Sequence, residues 1–256
     1  MKILCIGDIF AKPGRRALQA TLPVLRQELA IDVVVANGEN AAGGRGLTVE
    51  TSDEIFSAGV DIITSGNHIW EQREFVPRLD DEAPILRPYN YPPAAPGRGV
   101  ALRGDVAVIN LMGRVFMGID VDDPFRAVDR ALAEVAEQRI VIVDFHAEAT
   151  SEKVAMGWYL DGRVSALVGT HTHVPTADAR VLPGGTAFVS DLGMTGPRNS
   201  VIGMKTEQVL NRFLTQLPGR FTPEESGPRV FNSVLVDVDE STGKARSIER
   251  VDRYMD

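Results

Sequence analysis

Along the first ninety residues, short runs of branched apolar residues alternate with longer segments whose apolar positions recur every three or four residues. That alternation predicts strand, helix, strand units feeding a sheet that is at least partly parallel. KILCIGDI reads as a buried strand. From Pro13 onward, Ala17, Leu18, Leu22, Leu25 and Leu29 fall on one helical face, and Pro13 suits a first turn, where its missing N–H would be unpaired anyway. DVVVANGEN is a second buried strand, Thr48 or Thr51 caps a helix running towards Gly59, and DIITSGNH is a third strand ending in a polar loop.

Residues 88–99, crowded with Pro and Gly, read as an extended surface loop, and VALRGDVAVINL as a hairpin around a Gly-Asp turn. A helix is expected from near Asp123, with Pro124 in its first turn and Phe125, Val128, Leu132 and Val135 on one face. RIVIVDFH, a helix from Thr150 to Leu160, the strand VSALVGTHTH and the short runs RVL and TAFVSD follow, and NSVLVDVD with SIERVDRY closes the chain as a hairpin. The fold class expected is α/β: a four-layer α/β/β/α sandwich of two mixed sheets flanked by helices, in a single domain over residues 1–256. A doubly wound single sheet is the competing topology.

Composition narrows the classes of function. The hydrophobic content of 44% and charged content of 24% are those of a globular protein, and no low-complexity run interrupts them. No apolar run approaches the roughly 20 residues of a membrane span, and MKILCIGDIF lacks a basic, cleavable leader, so a cytoplasmic location without membrane partners is expected. A net charge of -8 argues against broad nucleic-acid binding, and Arg98, Arg103 and Arg114 read as solvated surface. The single Cys5 lies inside the first strand and is expected to be a buried, inert thiol.

The polar residues at the strand ends carry the chemistry. All 4 histidines follow apolar strands: His68 after DIITSGN, His146 after IVIVDF, His171 and His173 after ALVGT. One such histidine is usually a hydrogen-bonded structural residue. In open α/β sheets, however, the carboxyl ends of the strands collect at one edge, so Asp8, Glu39, Asn40, Asn67, His68, His146, His171 and His173 are expected to converge. Buried together, these groups are costly unless something pairs with them, and divalent cations would. Their number exceeds the positions of one ion, which points to two. Two close dications repel strongly, so an anion must bridge them, and Glu39, at the end of the second strand beside Asp8, is the candidate. Gly38, Gly43 and Gly44 are expected to supply the positive φ values of the turn around it.

GDIF, NGEN, SGNHIW, DFHAE and GTHTH, in that order over residues 7 to 173, resemble the strand-end motifs of the calcineurin-like metallophosphoesterases. Phe10 stands where that family usually has a metal-binding His, Glu39 replaces a bridging Asp, and GTHTH carries one residue more than the usual form. Asn40 offers an amide oxygen in place of the missing imidazole. The combination looks like the YmdB-type branch of bacterial phosphodiesterases. The resemblance implies one ion on Asp8, Glu39, Asn40 and His173, a second on Glu39, Asn67, His146 and His171, and iron as the metal, with manganese or zinc as alternatives. It leaves His68 as general acid for a phosphodiester attacked by a hydroxide the ions share, implies 2',3'-cyclic nucleotides as substrates, and points to a symmetric homo-oligomer; the WYL and RVFM segments read equally as apolar contact area for it or as buried core. Loops 41 to 47 and 112 to 118 could line the approach to the site, with solvated turns the favoured reading for most of their residues. Alternative readings are a phosphomonoesterase or lipid phosphodiesterase on the same centre, or a metal-dependent regulator that binds a nucleotide or an RNA-processing partner.

Overall fold

The computed structural model describes residues 1–256. In its first half the chain forms β1 (Lys2–Ile6), β2 (Asp8–Ile9), α1 (Ala11–Glu28), β3 (Val33–Asn37), α2 (Val49–Ser57), β4 (Ile62–Thr64), a 3₁₀ stretch (Arg73–Asp80), β5 (Val100–Arg103), β6 (Val106–Met112) and α3 (Pro124–Glu134). The second half adds β7 (Ile140–His146), α4 (Thr150–Leu160), β8 (Ala166–Thr170), β9 (Arg180–Val181), β10 (Ala187–Val189), β11 (Met194–Pro197), α5 (Thr206–Thr215), β12 (Arg229–Phe231), β13 (Ser233–Val238), β14 (Ala245–Arg250) and β15 (Arg253–Met255).

Two mixed sheets face each other, in the orders β14-β13-β1-β3-β4 and β5-β6-β7-β8-β10-β9. Alternate side chains divide each strand between two cores. Ile3, Cys5, Val33 and Val35 from one sheet meet Val106, Val108, Ile142 and Val168 from the other across the inner layer. The opposite faces pack under helices: Leu4, Ile6 and Val34 against Leu18, Leu22 and Leu25 of α1, and Ile109, Val143 and Leu167 against Ala127, Val128 and Met156 of α3 and α4. The four-layer α/β/β/α arrangement follows from that division. Cys5 lies in the inner layer, where burial first, and the Asp144 charge second, push its thiol up to about 12. No helix is long and apolar enough to cross a membrane.

Local signals act as the sequence implies. Asp123 caps α3 by accepting from the amides of Phe125 and Arg126, with Pro124 in the first turn. Thr48 and Thr51 cap α2 reciprocally, side chain to backbone in both directions. Arg98 donates to the Asp81 carbonyl, while Arg103 and Arg114 pair with the carboxylates of Asp61 and Asp123. Trp158, Tyr159, Val115 and Phe116 are exposed.

Two features differ from expectation. KILCIGDI is two strands, because the chain breaks at Gly7: β1 stays in the first sheet, whereas β2 joins a third, small sheet of order β15-β12-β11-β2. A Cβ at Gly7 would lie 1.9 Å from the Gly193 carbonyl oxygen, so the crossing of the two chains there requires glycine. Gly43 and Gly44 have positive φ, but Gly38 does not; a side chain on it would press on Ile63 and Leu47. Most of the 112 to 118 segment forms a solvated turn, as favoured, outside the walls of the cavity at the strand ends, and Glu152 of α4 holds it through the amides of Arg114 and Val115.

One buried ion pair fixes the turn on which the site depends. Lys153 Nζ on α4 lies 2.7 Å from Asp191 Oδ2, both side chains 2% exposed. The same carboxylate oxygen accepts from the backbone amide and the hydroxyl of Thr172, between the two histidines of GTHTH. Lys153→Met leaves Asp191 charged and buried without its partner, so it should lower unfolding free energy by about 3–5 kcal/mol in urea titration. A loss under about 1 kcal/mol would show that solvent reaches the pair.

Candidate metal centre

The centre is built where β1, β3, β4, β7 and β8 end or run into loops. Parallel pairing of β3 with β1 and β4, and of β7 with β8, puts those ends side by side: Ile6 opposite Ala36, Asn37 opposite Thr64, and His146 opposite Thr170. Asp8, Glu39, Asn40 and His146 are buried, whereas His68, His171 and His173 are partly open to a cavity of about 360 Å³. His171 and His173 both have positive φ, 102° and 65°, a conformation that non-glycine residues adopt only when their surroundings impose it.

Around His146 Nε2 the donor atoms are closely gathered. Asn67 Oδ1 and His171 Nδ1 lie 3.0 Å away and Glu39 Oε1 lies 3.1 Å away. Such spacings match neighbouring ligands about 2.1 Å from one ion and set at right angles. Gly66 allows this crowding, since a Cβ there would fall 2.3 Å from His146 Nε2 and 2.5 Å from Glu39 Oε2. A second group lies alongside, with His173 Nε2 3.2 Å from Asn40 Oδ1 and 3.9 Å from Asp8 Oδ1. Asn40 Nδ2 donates to the Gly44 carbonyl, which turns the amide oxygen towards His173. Phe10 packs edge-on against the His173 ring at 5.6 Å, forming a wall of the cavity where it offers no donor.

Hydrogen bonds on the outer side of each ring set its tautomer. The Thr170 hydroxyl donates to Asp144 and therefore accepts from His146 Nδ1 at 2.9 Å. His171 Nε2 faces Glu148 at 3.2 Å, and His173 Nδ1 donates to the Ile202 carbonyl at 2.9 Å. Each outer nitrogen thus carries the proton, and each inner nitrogen presents a lone pair. These lone pairs face carboxylate and amide oxygens that also have only lone pairs to offer. Asp8 Oδ1, fully buried, has no hydrogen-bond partner at all. The donor set, nitrogen and oxygen without thiolate, fits divalent cations.

Without a cation, protons must compensate. Burial lowers the basicity of His146, but the charge of Glu39, its hydrogen bond, and then Asp8 and Asp144 outweigh it and bring the ring up to about 9. Burial and the His146 charge push His171 down to about 3, so the two rings, 3.0 Å apart, hold one proton between them. Burial raises Asp8 to about 6 against the pull of His173 and His146. Burial would raise Glu39 too, yet His146 and the His68 amide hold it down to about 2.

Every strand-end residue singled out in the sequence is therefore at or beside this centre. His68 is set apart: its ring contacts Glu71, 3.3 Å from Nδ1, while its backbone amide donates to Glu39 Oε2. Sequence reasoning missed Glu148, which joins Glu39 as a second carboxylate in the cavity wall, and the buried supports Asn37, Asp144, Thr170 and Asp191. A charged residue in the middle of IVIVDFH was the available signal for Asp144.

The chain matches the family model described as YmdB-like protein over residues 4–251. It is 46% identical over 98% of its length, and 96% of the relative's, to the 2',3'-cyclic-nucleotide 2'-phosphodiesterase of Bacillus subtilis (strain 168). A crystal structure of a hypothetical protein from Thermus thermophilus superposes with a TM-score of 0.93 at 43% identity, covering 100% of both chains. One of a novel phosphatase from Mycoplasma pneumoniae superposes at 0.94 with 33% identity, covering 100% of this chain and 94% of that one. The protein belongs to the YmdB-like family, in the calcineurin-like metallophosphoesterase class that its motifs resemble. Family and donor set together define a phosphoester hydrolase.

Chelator-stripped protein must release the His146 proton when it takes up metal. Its affinity for Mn²⁺ should fall about tenfold per pH unit as pH drops below about 9, and more steeply below about pH 6, where Asp8 also binds a proton. Competition titration against a chromophoric chelator measures this; a pH-independent affinity would show that His146 holds no extra proton in the metal-free protein.

Proposed function

We propose that the protein is a binuclear metal-dependent phosphodiesterase acting on 2',3'-cyclic nucleotides. The observation that carries the reading is the pair of adjoining donor groups at an open cavity, one of Glu39, Asn67 and His171 around His146 Nε2 and one of Asn40 and Asp8 around His173 Nε2. Asp8, Glu39, Asn40 and His173 would hold one ion and Glu39, Asn67, His146 and His171 the other, with Glu39 shared. Iron is the expected metal, with manganese or zinc able to serve. Bound there, divalent ions supply Lewis acidity to phosphoryl oxygens and a water acidic enough to attack near neutral pH.

The chain's own groups do the rest. Thr170, Glu148 and the Ile202 carbonyl keep the three ligand imidazoles neutral and aimed inward, so the protein contributes only carboxylate charge to the centre. Glu148 would lower the net positive charge of the loaded site, which favours a monoanionic diester over a dianionic monoester. His68, in the cavity wall and free of the donor groups, protonates the departing oxygen, and the Glu71 carboxylate orients its ring. The name of the 46% identical relative supports the cyclic-nucleotide class. The phosphatase name of the Mycoplasma pneumoniae structure favours a monoesterase as the second reading.

Comparing bis-p-nitrophenyl phosphate with p-nitrophenyl phosphate, and both with 2',3'-cyclic AMP, tests the proposal; a preference for the monoester would overturn it. His68→Ala should lower kcat about 10²–10⁴-fold while metal content stays near that of the unaltered protein. Glu39→Ala should lose both ions, read by elemental analysis, and a variant that still binds two per chain would show that the bridge lies elsewhere.

A further inference from the structure

Beside the cavity at the strand ends lies a second one of about 530 Å³, and the two are continuous through Arg45, Met204 and Phe221, which line both. Gly219 and Arg220 form its far side. Some arginines on this acidic surface pair with carboxylates, as Arg15 does with Glu54 and Arg163 with Asp129, and others, such as Arg98, do not. Arg45 and Arg220 are exposed and pair with none, so two guanidiniums face one solvent-filled recess without a counter-charge of their own. The one carboxylate in the lining, Glu71, is engaged with His68 at 3.3 Å. The Gln72 amide donates to the Arg45 carbonyl at 3.0 Å, which ties the Arg45 loop to the segment carrying Glu71.

We infer that this second cavity is a subsite for a second phosphate, carried on the 5' side of the nucleoside whose cyclic phosphate sits over the metal centre. The inference rests on the diesterase reading above and extends it from a mononucleoside cyclic phosphate to a substrate with two phosphate groups. Guanidinium forks match phosphate oxygens in pairs, and each such charge-assisted contact is stronger than a neutral hydrogen bond. Phe221, half-buried at the junction of the two cavities, offers a ring face to the sugar or base between the phosphates. A protein of net charge -8 gains little from long-range attraction of polyanions, so a local pair of unpaired arginines has to do the selecting. The second phosphate has two possible sources: the 5'-phosphate of a mononucleotide, or the internucleotide phosphate at the end of an RNA strand.

The test measures kcat/KM of the metal-loaded full chain on three substrates: adenosine 2',3'-cyclic phosphate, the same nucleotide bearing a 5'-phosphate, and a diadenosine dinucleotide ending in a 2',3'-cyclic phosphate. At least one of the two-phosphate substrates should be preferred about tenfold, a preference that shrinks as salt rises. Arg220→Ala should abolish the preference and leave the one-phosphate substrate unchanged within about twofold, because Arg220 lines only the second cavity. Preference for the 5'-phosphorylated mononucleotide assigns the subsite to a terminal phosphate; preference for the dinucleotide alone assigns it to an RNA end. Equal turnover of all three by the unaltered protein, or an equal loss on all three in Arg220→Ala, would overturn the subsite and leave the diesterase reading standing. No turnover of any of them would overturn both.

Discussion

Lone pairs pressed against lone pairs in a buried space are stable only with a cation among them, and the strand ends of this protein assemble that arrangement twice. His146, His171 and His173 each spend their N–H on an acceptor outside the centre, so their inner nitrogens meet Glu39, Asn67, Asn40 and Asp8 with nothing to donate. Much of the surrounding structure serves to hold this unfavourable contact in place. The Lys153–Asp191 pair pins the backbone of Thr172, the positive φ of His171 and His173 turns their rings inward, and Gly66 lets a loop close over Glu39. The binding energy of the metal is thus coupled to the folding of the edge that binds it.

The sequence pointed to the candidate ligands because they follow apolar runs. A polar residue directly after a buried strand has few places to go except the carboxyl edge of a sheet, and parallel pairing gathers those edges whatever the loop lengths between them. The helices and the four-layer order were legible for a similar reason, since the helical and strand periodicities assign each side chain to a layer. What stayed hidden depends on partners distant in the chain. Gly7 reads as an ordinary strand residue until Gly193 crosses it, and β2 leaves the first sheet only because β11 is available to pair with it. Glu148 and Asp191 resemble surface acids until the fold places His171 and Lys153 against them.

At position 10, where the motifs resembled above carry a His, Phe10 offers the His173 group no donor and packs edge-on against its ring, while Asn40, oriented by the Gly44 carbonyl, presents an amide oxygen to His173 Nε2. A neutral oxygen is a weaker donor than a nitrogen, so in the binuclear reading proposed above the ion at this group would be the more loosely held of the two and the more dependent on Glu39 for charge. The cavity lining combines apolar residues, Phe10, Ile202, Met204 and Phe221, with polar ones that include Glu39, Asn40, His171 and His173.

The most direct test of this account is anomalous diffraction from crystals of metal-loaded protein, recorded at the absorption edge of the metal. The account predicts two peaks per chain, about 3.5–4 Å apart, with the Glu39 carboxylate between them. A single peak, or two peaks of which neither touches Glu39, would contradict it.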